Sequence, residues 1–410
     1  MATGRVGCRA SRANLVATAL VVLLIRHSDM SPRKLAKRAA GSIDWLLFGA
    51  AMALAFLGLV TMSSFTASDP FFIRQSIWIG LGVLVFFGAA QIDWRFLRRS
   101  GVAAAIYALS LVPLLLLAVV GQAILGAKSW FDFGAFAFQP TDLAKLALII
   151  LLAKYFSRRH IEIANIRHIL VSGAYMAVVF LLVAAQPDFG SAIIIGAIWF
   201  GMVMVSGLSR KHLFATIALG TVTFVGLWTF GFHDYQKQRI LTFLHPLADI
   251  QGAGYNAYQS TVAVGSGQLV GKGIGYGTQS KLRFLPEYQT DFIFAAYAEE
   301  WGFIGIIIVF ALYGALFWRV LRIAGKGASN FETLFGVGVF CYFLAHFVIH
   351  VGINLGLLPV TGTTVPFMSY GGSHLLGEFL ALGMLCGMNR YSRALHPDAM
   401  NREFEGGYDR

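Results

Sequence analysis

The sequence predicts an all-α, polytopic membrane protein with about ten transmembrane helices and one long extracytoplasmic loop between spans seven and eight. Three observations lead to this fold class. Hydrophobic residues make up 57% of the 410 residues and charged residues only 13%, against about 25% charged residues in an average soluble domain. The mean hydropathy is +0.68. Apolar stretches of about 20 residues, enough to cross about 30 Å of hydrocarbon, recur from residue 43 almost to the C-terminus.

Ten apolar stretches are expected to span the membrane as helices. They cover about 44–62, 74–91, 101–121, 142–156, 168–186, 189–207, 213–232, 301–321, 334–358 and 375–393. The connection between the seventh and eighth spans, residues 233–290, is the longest. Long ordered connections usually carry function or helices of their own.

The positions of Lys and Arg predict the orientation, because basic residues near span ends stay in the cytoplasm. Alternate connections are rich in them, as at Arg95, Arg98 and Arg99, whereas 63–73, 186–188 and 359–374 contain none. We therefore expect a multi-pass protein of the cytoplasmic membrane with both termini inside and loop 233–290 outside. This bias accounts for most of the net charge of +12, so the charge does not indicate nucleic-acid binding.

The predicted domain organisation is one membrane domain, residues 43–393, between a cytoplasmic N-terminal segment, 1–42, and a short cytoplasmic tail, 394–410. Within residues 1–29, the apolar run Leu15 to Ile25 is too short to span and is followed at once by Arg26. No small-residue cleavage site follows it, which favours an interfacial helix or a start assigned too early, with Met30 as the true start, over a signal peptide.

Two sequence features suggest chemistry but do not fit it. The three cysteines, Cys8, Cys341 and Cys386, form neither a disulfide framework nor a metal-binding spacing. The segment Gly265 to Gly277 is glycine-rich, but Lys272 is followed by Gly273 where a phosphate-binding loop requires Ser or Thr. We expect its glycines to permit tight turns and close backbone approach.

Ionisable residues at membrane depth cost about 2.5–3.5 kcal/mol each, so each one needs a reason. Asp142 and Lys145 stand at i, i+3 and can pair on one helix face. Two roles are open: a structural ion pair, or an arrangement in which Lys145 faces an outer cavity and binds an anionic ligand.

His346, His350 and Asn354 form one stripe at i, i+4, i+8, which favours interhelical hydrogen bonds over a metal site. Glu299, Glu300 and Glu378 are expected to be buried partners or interface residues.

Asp291 ends the long outer loop, after Pro286 and directly before the apolar stretch FIFAAYA. A carboxylate there could cap the following helix. It could equally be a base at the boundary of water and lipid, where partial desolvation raises its pKa toward neutrality. Both roles remain open from position alone.

Five motifs in chain order resemble the SEDS family of peptidoglycan polymerases, over nearly the whole chain after about residue 40. They are FQPTDLAK (138–145), QPDFGSA (186–192), GAGYNAYQS (252–260), GTQSKLRFLPEYQTDFIFA (277–295) and PVTGTTVPFMSYGGS (359–373). The stretch GTQSKLRFLPE resembles the rod-shape elongation branch of that family more than its division branch.

The resemblance implies a ten-span bacterial enzyme of the inner membrane that polymerises lipid II, together with a class B penicillin-binding transpeptidase and the elongation machinery. The essential aspartate of the family matches Asp291, and its acid and lysine in the fourth span match Asp142 and Lys145. This chain departs from the family twice: Asp142 stands where Glu is usual, and Ser129 stands where Arg is usual. The first change shortens a side chain by one methylene, and the second removes a cation.

The predicted chemistry is inverting glycosyl transfer on the outer face, with Asp291 as the general base and cations that stabilise the departing pyrophosphate. The candidate cations are Lys145, Lys128, Arg239, Lys281 and Arg283, with Asp142 orienting Lys145. No cofactor is evident, and a divalent cation at the pyrophosphate stays open, without a ligand signature. The rival functions are a lipid II flippase, a non-catalytic scaffold for a transpeptidase, and the division paralogue with the same chemistry.

Overall fold

A computed structural model describes residues 43–64, 70–120, 129–132, 137–157, 166–207, 210–232, 234–245, 254–282 and 284–405 of the chain. The predicted N-terminal segment 1–42, with its apolar run, lies outside these residues. The residues described from Asp44 onward belong to one folded unit.

The described residues confirm the helical membrane fold. The ten predicted spans match α1 (Trp45–Ser63), α2 (Pro70–Gln91), α3 (Ser100–Val120), α4 (Pro140–Ser157), α5 (Ile166–Ala185), α6 (Phe189–Val205), α7 (Arg210–Gly226), and then α11 (Ile293–Ala324), α12 (Asn330–Asn354) and α13 (Gly372–Glu405). By length and composition, six helices in the described part of the chain could cross a membrane, and two shorter apolar segments accompany them. Two long helices exceed the prediction: α11 begins eight residues before the expected start of its span, and α13 continues past residue 393.

The long loop and one shorter connection contain their own secondary structure. Loop 233–290 holds three helices, α8 (Asp234–Leu244), α9 (Tyr255–Ser266) and α10 (Thr278–Lys281). Before α4, the two-residue strands β1 (Phe131–Asp132) and β2 (Ala137–Phe138) pair antiparallel, with Phe131 opposite Phe138. The short β-ladder was not predicted, because two residues carry no readable period.

Helices α4 and α12 form the centre of the bundle. Helix α12 packs against α4, α6 and α11, and α13 runs along α2. Small residues allow these close contacts: a Cβ at Gly338 of α12 would lie only 2.5 Å from Ile149 of α4. Close packing at small residues is the usual way that helices associate in lipid, where no hydrophobic driving force acts between them. The polar residues that need burial are therefore held between α4, α12 and α13.

Two interhelical ion pairs lie at the end of the bundle where the basic residues predict the cytoplasm. Arg98 lies 2.6 Å from Glu332, and Arg319 pairs with Asp44, which also caps α1 by accepting from the Leu47 amide. An Arg fork that meets a carboxylate is a strong, oriented contact. These pairs tie the ends of α1, α11 and α12 on that side of the bundle to their neighbours.

The glycine-rich segment 265–277 packs its backbone against a break in α11. Gly302 has φ +65° and interrupts that helix. The Lys272 and Gly273 amides donate to the Glu299 and Glu300 carbonyls at 3.0 Å, and the Phe303 amide donates to Gln268 O at 2.9 Å. A Cβ at Gly271 would overlap the Glu300 carbonyl oxygen. The prediction that these glycines permit close backbone approach is confirmed.

The buried carboxylates of Glu299 and Glu300 fasten the same segment to α11. Glu299 Oε1 accepts from Lys272 Nζ at 2.7 Å, from Thr278 at 3.1 Å and from the Gln279 amide at 3.1 Å. Glu300 accepts from the Gly275 amide at 2.9 Å. The expectation that both are buried partners is confirmed, and together they fix the start of the stretch that leads to Asp291.

Candidate active site

Asp291 lies in a tight turn before α11, and it does not cap that helix. The Glu287 carbonyl accepts from the amides of Thr290 and Asp291 at 3.1 Å and of Phe292 at 3.2 Å. The N-cap position of α11 is Phe292, with no side-chain cap hydrogen bond. The capping interpretation of Asp291 is therefore wrong, and its carboxylate is left for another role.

The loop between α12 and α13 holds this turn in place. Tyr370 N donates to Gln289 O at 2.8 Å, and Ser369 Oγ donates to Thr290 O at 2.9 Å. Asn354 bridges Asp291 and α11, because its Nδ2 donates to Asp291 O and its Oδ1 accepts from Ala295 N, both at 3.0 Å. The backbone on both sides of the carboxylate is thus fixed by hydrogen bonds from two other elements.

Gly362 leaves room for the Asp291 carboxylate. Its φ is +71°, a conformation that glycine adopts without strain. A Cβ at this position would lie 3.4 Å from Asp291 Oδ2. The backbone of Gly362 is exposed, so a ligand can approach the carboxylate along this side.

The surroundings raise the pKa of Asp291 to about 7. Burial is the largest cause, and the negative charges of Glu287 and Asp188 act in the same direction, whereas Arg239 opposes them. A general base works best when its pKa lies near the ambient pH, because it is then both ionised and a good proton acceptor. The expectation of a raised pKa is confirmed.

A small cleft of about 30 Å³ lies next to Gly362, the residue that faces the Asp291 carboxylate. Arg239 of α8 contributes to its wall and donates to Val360 O at 3.4 Å. The wall is formed by Pro187, Phe189, Gln236, Arg239, Ile240, Pro359, Val360 and Thr361. Arg239 thus lines a small opening between α6, α8 and the α12–α13 loop. Asp291 stands next to Gly362 of the same loop, close enough for the Arg239 charge to lower its pKa.

A hydrogen-bonded path connects this cleft to the buried acid of α4. Asp188 caps α6 through the Ser191 amide at 3.0 Å and accepts from Gln139 Nε2, also at 3.0 Å. The Gln139 amide donates to Ser373 Oγ at 3.2 Å, and that hydroxyl lies 3.4 Å from Asp142 Oδ2. The motifs around residues 139, 188 and 373 therefore meet at one end of the bundle.

Asp142 and Lys145 form the ion pair that the sequence predicts, but not on the wall of an open cavity. Lys145 Nζ lies 3.2 Å from Asp142 Oδ1 and 3.3 Å from His346 Nε2. The lysine is 1% exposed and Asp142 is 3% exposed. Within the part of the chain that the structure describes, two of the three N–H donors of the ammonium are occupied.

The polar stripe of α12 makes the predicted interhelical hydrogen bonds through His346 to Lys145 of α4 and through Asn354 to Ala295 of α11, and it also bonds to the α12–α13 loop. His346 Nδ1 and His350 Nδ1 donate to the carbonyls of Thr364 and Thr363 at 3.0 and 2.7 Å. With Asn354, the stripe links the ammonium of Lys145 to the backbone of Asp291. Among the described residues, no group of three His, Cys, Asp or Glu side chains could hold a metal ion.

The remaining predicted site residues lie elsewhere or outside the described residues. Lys281 is exposed in α10, with its ammonium 3.5 Å from Gly275 O. Lys128 and Arg283 lie outside the described residues. Ser129, at the position where the resemblance led us to expect Arg, is buried, and its hydroxyl has no hydrogen-bond partner among the described residues.

Three residues of the site were missed by the sequence analysis: Gln139, Glu287 and His374. Gln139 and Glu287 fall inside motifs that were recognised, which is a usable signal. No sequence signal pointed to His374, because a single histidine near the start of a helix belongs to no recognisable motif or spacing. Its contacts with Asp142 at 3.3 Å and with Glu378 at 2.8 Å appear only in the folded chain.

Comparison with known proteins places the whole membrane domain in one family. The family described as cell cycle protein, with the members FtsW, RodA and SpoVE, matches residues 41–394. Stage V sporulation protein E of Bacillus subtilis is 35% identical over 86% of this chain and 98% of its own length. Peptidoglycan glycosyltransferase MrdB of Escherichia coli K12 is 36% identical over 77% of this chain and 85% of its own.

A solved structure supports the same relationship in three dimensions. One chain from a peptidoglycan synthase complex, studied for the coordination of polymerization and crosslinking, matches with a TM-score of 0.72 at 33% identity. The match covers 85% of this chain and 98% of that one. The helical bundle and the long loop therefore belong to a fold already seen in a cell-wall assembly.

Proposed function

This chain belongs to the FtsW, RodA and SpoVE family, and on that premise we propose that it is a peptidoglycan glycosyltransferase that polymerises lipid II on the outer face of the cytoplasmic membrane. The resemblance to the SEDS family is thereby confirmed. The observation that carries the proposal is the Asp291 carboxylate, whose pKa is about 7. It stands next to Gly362, in the loop whose residues 359–361 line a small cleft together with Arg239.

The chemistry requires a base and a cation, and in this proposal Asp291 and Arg239 supply them. Asp291 accepts the proton of the acceptor sugar hydroxyl as that oxygen attacks the anomeric carbon of the donor. The bond to the lipid pyrophosphate breaks in the same step, and the negative charge that develops there is stabilised by cations. One in-line attack inverts the anomeric centre, so no second carboxylate nucleophile is needed.

Arg239 is the first cation in this proposal, since it interacts with Asp291 across the cleft wall. Its planar fork suits two phosphate oxygens. Lys145, although buried, is the second, because it ends the hydrogen-bonded path that begins at Asp188 and passes through Gln139, Ser373 and Asp142. Lys281, Lys128 and Arg283 remain candidates for the same task, and a divalent cation carried by the pyrophosphate remains a prediction that chelator addition tests.

The proposed biological setting is lateral wall elongation, with a class B penicillin-binding transpeptidase as partner. Two observations support it: the stretch GTQSKLRFLPE resembles the elongation branch, and the related structure comes from a peptidoglycan synthase complex. The division branch has the same chemistry and differs in partner. Pull-down of this chain with elongation and division transpeptidases, each offered separately, distinguishes the two.

The flippase alternative makes a different structural demand. A path for a charged headgroup should cross about 30 Å of hydrocarbon. The polar stripe from His346 to Asn354 spans eight residues, or about 12 Å of helix, and joins groups at one end of the bundle. The described contacts therefore favour chemistry at one face over passage through the protein.

Reconstitution with lipid II tests the proposal. We expect the full chain, with its transpeptidase, to form glycan strands, and Asp291→Asn to lose about 100-fold or more of the rate, as expected for loss of a general base. Asp234→Asn, an exposed carboxylate of α8, is the matched control and should retain the rate. Movement of lipid II across vesicles without polymer would favour the flippase, and full activity of Asp291→Asn would refute the assignment of the base.

A further inference from the structure

The start of α13 holds a buried acid and base that the proposed mechanism does not use. His374 and Glu378 stand at i, i+4 and are 4% and 0% exposed. His374 Nδ1 lies 3.3 Å from Asp142 Oδ1, and Nε2 lies 2.8 Å from Glu378 Oε1. Glu378 Oε2 accepts from the Phe367 amide at 2.8 Å. The imidazole is therefore placed between two carboxylates.

The four ionisable groups of this cluster balance in charge. Asp142 and Glu378 bring two negative charges, and Lys145 brings one positive charge. One proton shared by His374 and Glu378 makes the total zero, whichever of the two residues carries it. Since an uncompensated buried charge is strongly destabilising, this neutral total is compatible with the burial of both acids beside one lysine.

His346 accepts a hydrogen bond from the Lys145 ammonium and so orients it. Its Nδ1 must donate to the Thr364 carbonyl, because a carbonyl oxygen only accepts. Its Nε2 is then an acceptor, and Lys145 donates to it at 3.3 Å. The Lys145 ammonium thus lies between the His346 imidazole, which is held by the Thr364 carbonyl, and the Asp142 carboxylate. Asp142 Oδ1 also contacts His374.

We propose that His374 and Glu378 form a positioning pair that sets the Asp142 carboxylate, and through it the Lys145 ammonium, for pyrophosphate binding. The inference rests on the proposed function, because it assigns Lys145 to the leaving group. The imidazole occupies the space, and supplies the contact to Asp142, that an acid one methylene longer would otherwise fill.

The packing around Asp142 gives this explanation a testable consequence. The Cβ of Asp142 lies 3.8 Å from where a Cβ of Gly377 would stand, and Ser373, His374 and Glu378 are all buried. An additional methylene in such a core costs about 1–3 kcal/mol. Asp142→Glu should therefore be harmful while His374 is present and helpful once the imidazole has been removed.

The experiment compares four proteins by lipid II polymerisation: wild type, Asp142→Glu, His374→Asn/Glu378→Gln, and the triple variant. The double variant removes one acid and one base together, so no buried charge is left unpaired. We expect it to fold and to lose about 10- to 100-fold in kcat with little change in KM, as a misplaced catalytic group would. The triple variant should recover most of that loss, whereas Asp142→Glu alone should reduce the rate.

Two measurements separate positioning from folding. Thermal unfolding of all four proteins reports stability, and His168→Asn, which removes a buried histidine that contacts Tyr155 at 2.9 Å, controls for general loss of a core imidazole. Full activity of the double variant, or a triple variant no better than the double, would overturn the positioning role. A wild-type protein that makes no polymer would overturn the proposed function and this inference with it.

Discussion

At the residue scale, the chemistry of Asp291 depends on neighbours from distant parts of the chain. The sequence singled out Asp291 by its place before an apolar helix and by the family motif. It did not show that Asp188 and Glu287 raise its pKa or that Arg239 opposes them. These contacts join segments from α6, α8 and the turn before α11, and a single sequence contains no record of which segments meet.

The raised pKa of Asp291 has a consequence for stability. In the folded protein the Asp291 carboxyl keeps its proton up to a pH of about 7. In the unfolded chain the same carboxyl loses its proton near pH 4. The group therefore stabilises the fold at pH values below 4, and this contribution is lost as pH rises through 7. We expect Asp291→Asn to unfold at a higher temperature than wild type at pH 8.

The same comparison at pH 5 is the internal control. There the wild-type carboxyl is protonated in the folded state, so the two proteins should differ less in unfolding temperature than at pH 8. Thermal unfolding in detergent at both pH values measures this. The quantity of interest is the unfolding temperature of Asp291→Asn minus that of wild type. If this difference is no larger at pH 8 than at pH 5, the pKa of Asp291 is not raised in the folded protein.

At the element scale, the glycine segment 265–277 and the break in α11 form one structure. The sequence predicted close backbone approach from the glycines alone. It could not identify the partner, because the partner is a broken helix turn at Gly302, and an isolated glycine inside an apolar run does not reveal a break. The expected start of the eighth span at residue 301 was late for the same reason: the helix continues on both sides of the break.

Two glycines of this segment provide a matched test of the close approach. Gly271 and Gly273 have φ values of +81° and +97°, so Ala at either position carries a similar strain of about 1–2 kcal/mol. Only at Gly271 would the new Cβ overlap backbone atoms of Glu300, whereas at Gly273 the nearest atom is a Tyr276 ring carbon 3.4 Å away.

We therefore expect Gly271→Ala to lower the unfolding temperature further than Gly273→Ala, and to slow lipid II polymerisation because it displaces the stretch that leads to Asp291. Thermal unfolding and polymerisation rates of both variants measure the difference. Equal effects of the two substitutions would mean that the approach of this segment to α11 does not hold the site.

At the scale of the whole molecule, hydropathy was sufficient to locate ten helices to within a few residues at most ends. The reason is physical: in lipid each spanning segment must satisfy its own backbone, so each one is readable by itself. Which helices pack together was not readable. The polar core that α4, α12 and α13 build around Lys145 became apparent only when the three helices were seen side by side.

The predicted orientation can be tested in intact cells. In a background without cysteines, Tyr276→Cys in the outer loop should react with a membrane-impermeant maleimide. Lys326→Cys, between α11 and α12, should react only after permeabilisation, because the distribution of Lys and Arg predicts that this connection is cytoplasmic. Tyr276 is 71% exposed, so it should be accessible to the reagent. The opposite labelling pattern would place Asp291 on the cytoplasmic side and refute the proposed site.

The pH dependence of lipid II polymerisation tests the central claim, that Asp291 is the base, most directly. The wild-type rate should rise with pH through a midpoint near 7, the pKa of Asp291. Glu287→Gln removes a charge that raises this pKa and should lower the midpoint. Arg239→Gln removes a positive charge that lowers the pKa of Asp291, so it should raise the midpoint. It should also slow the reaction, because Arg239 is a proposed cation for the leaving group. A midpoint that neither variant moves, or a rate independent of pH between 5 and 9, would contradict the assignment.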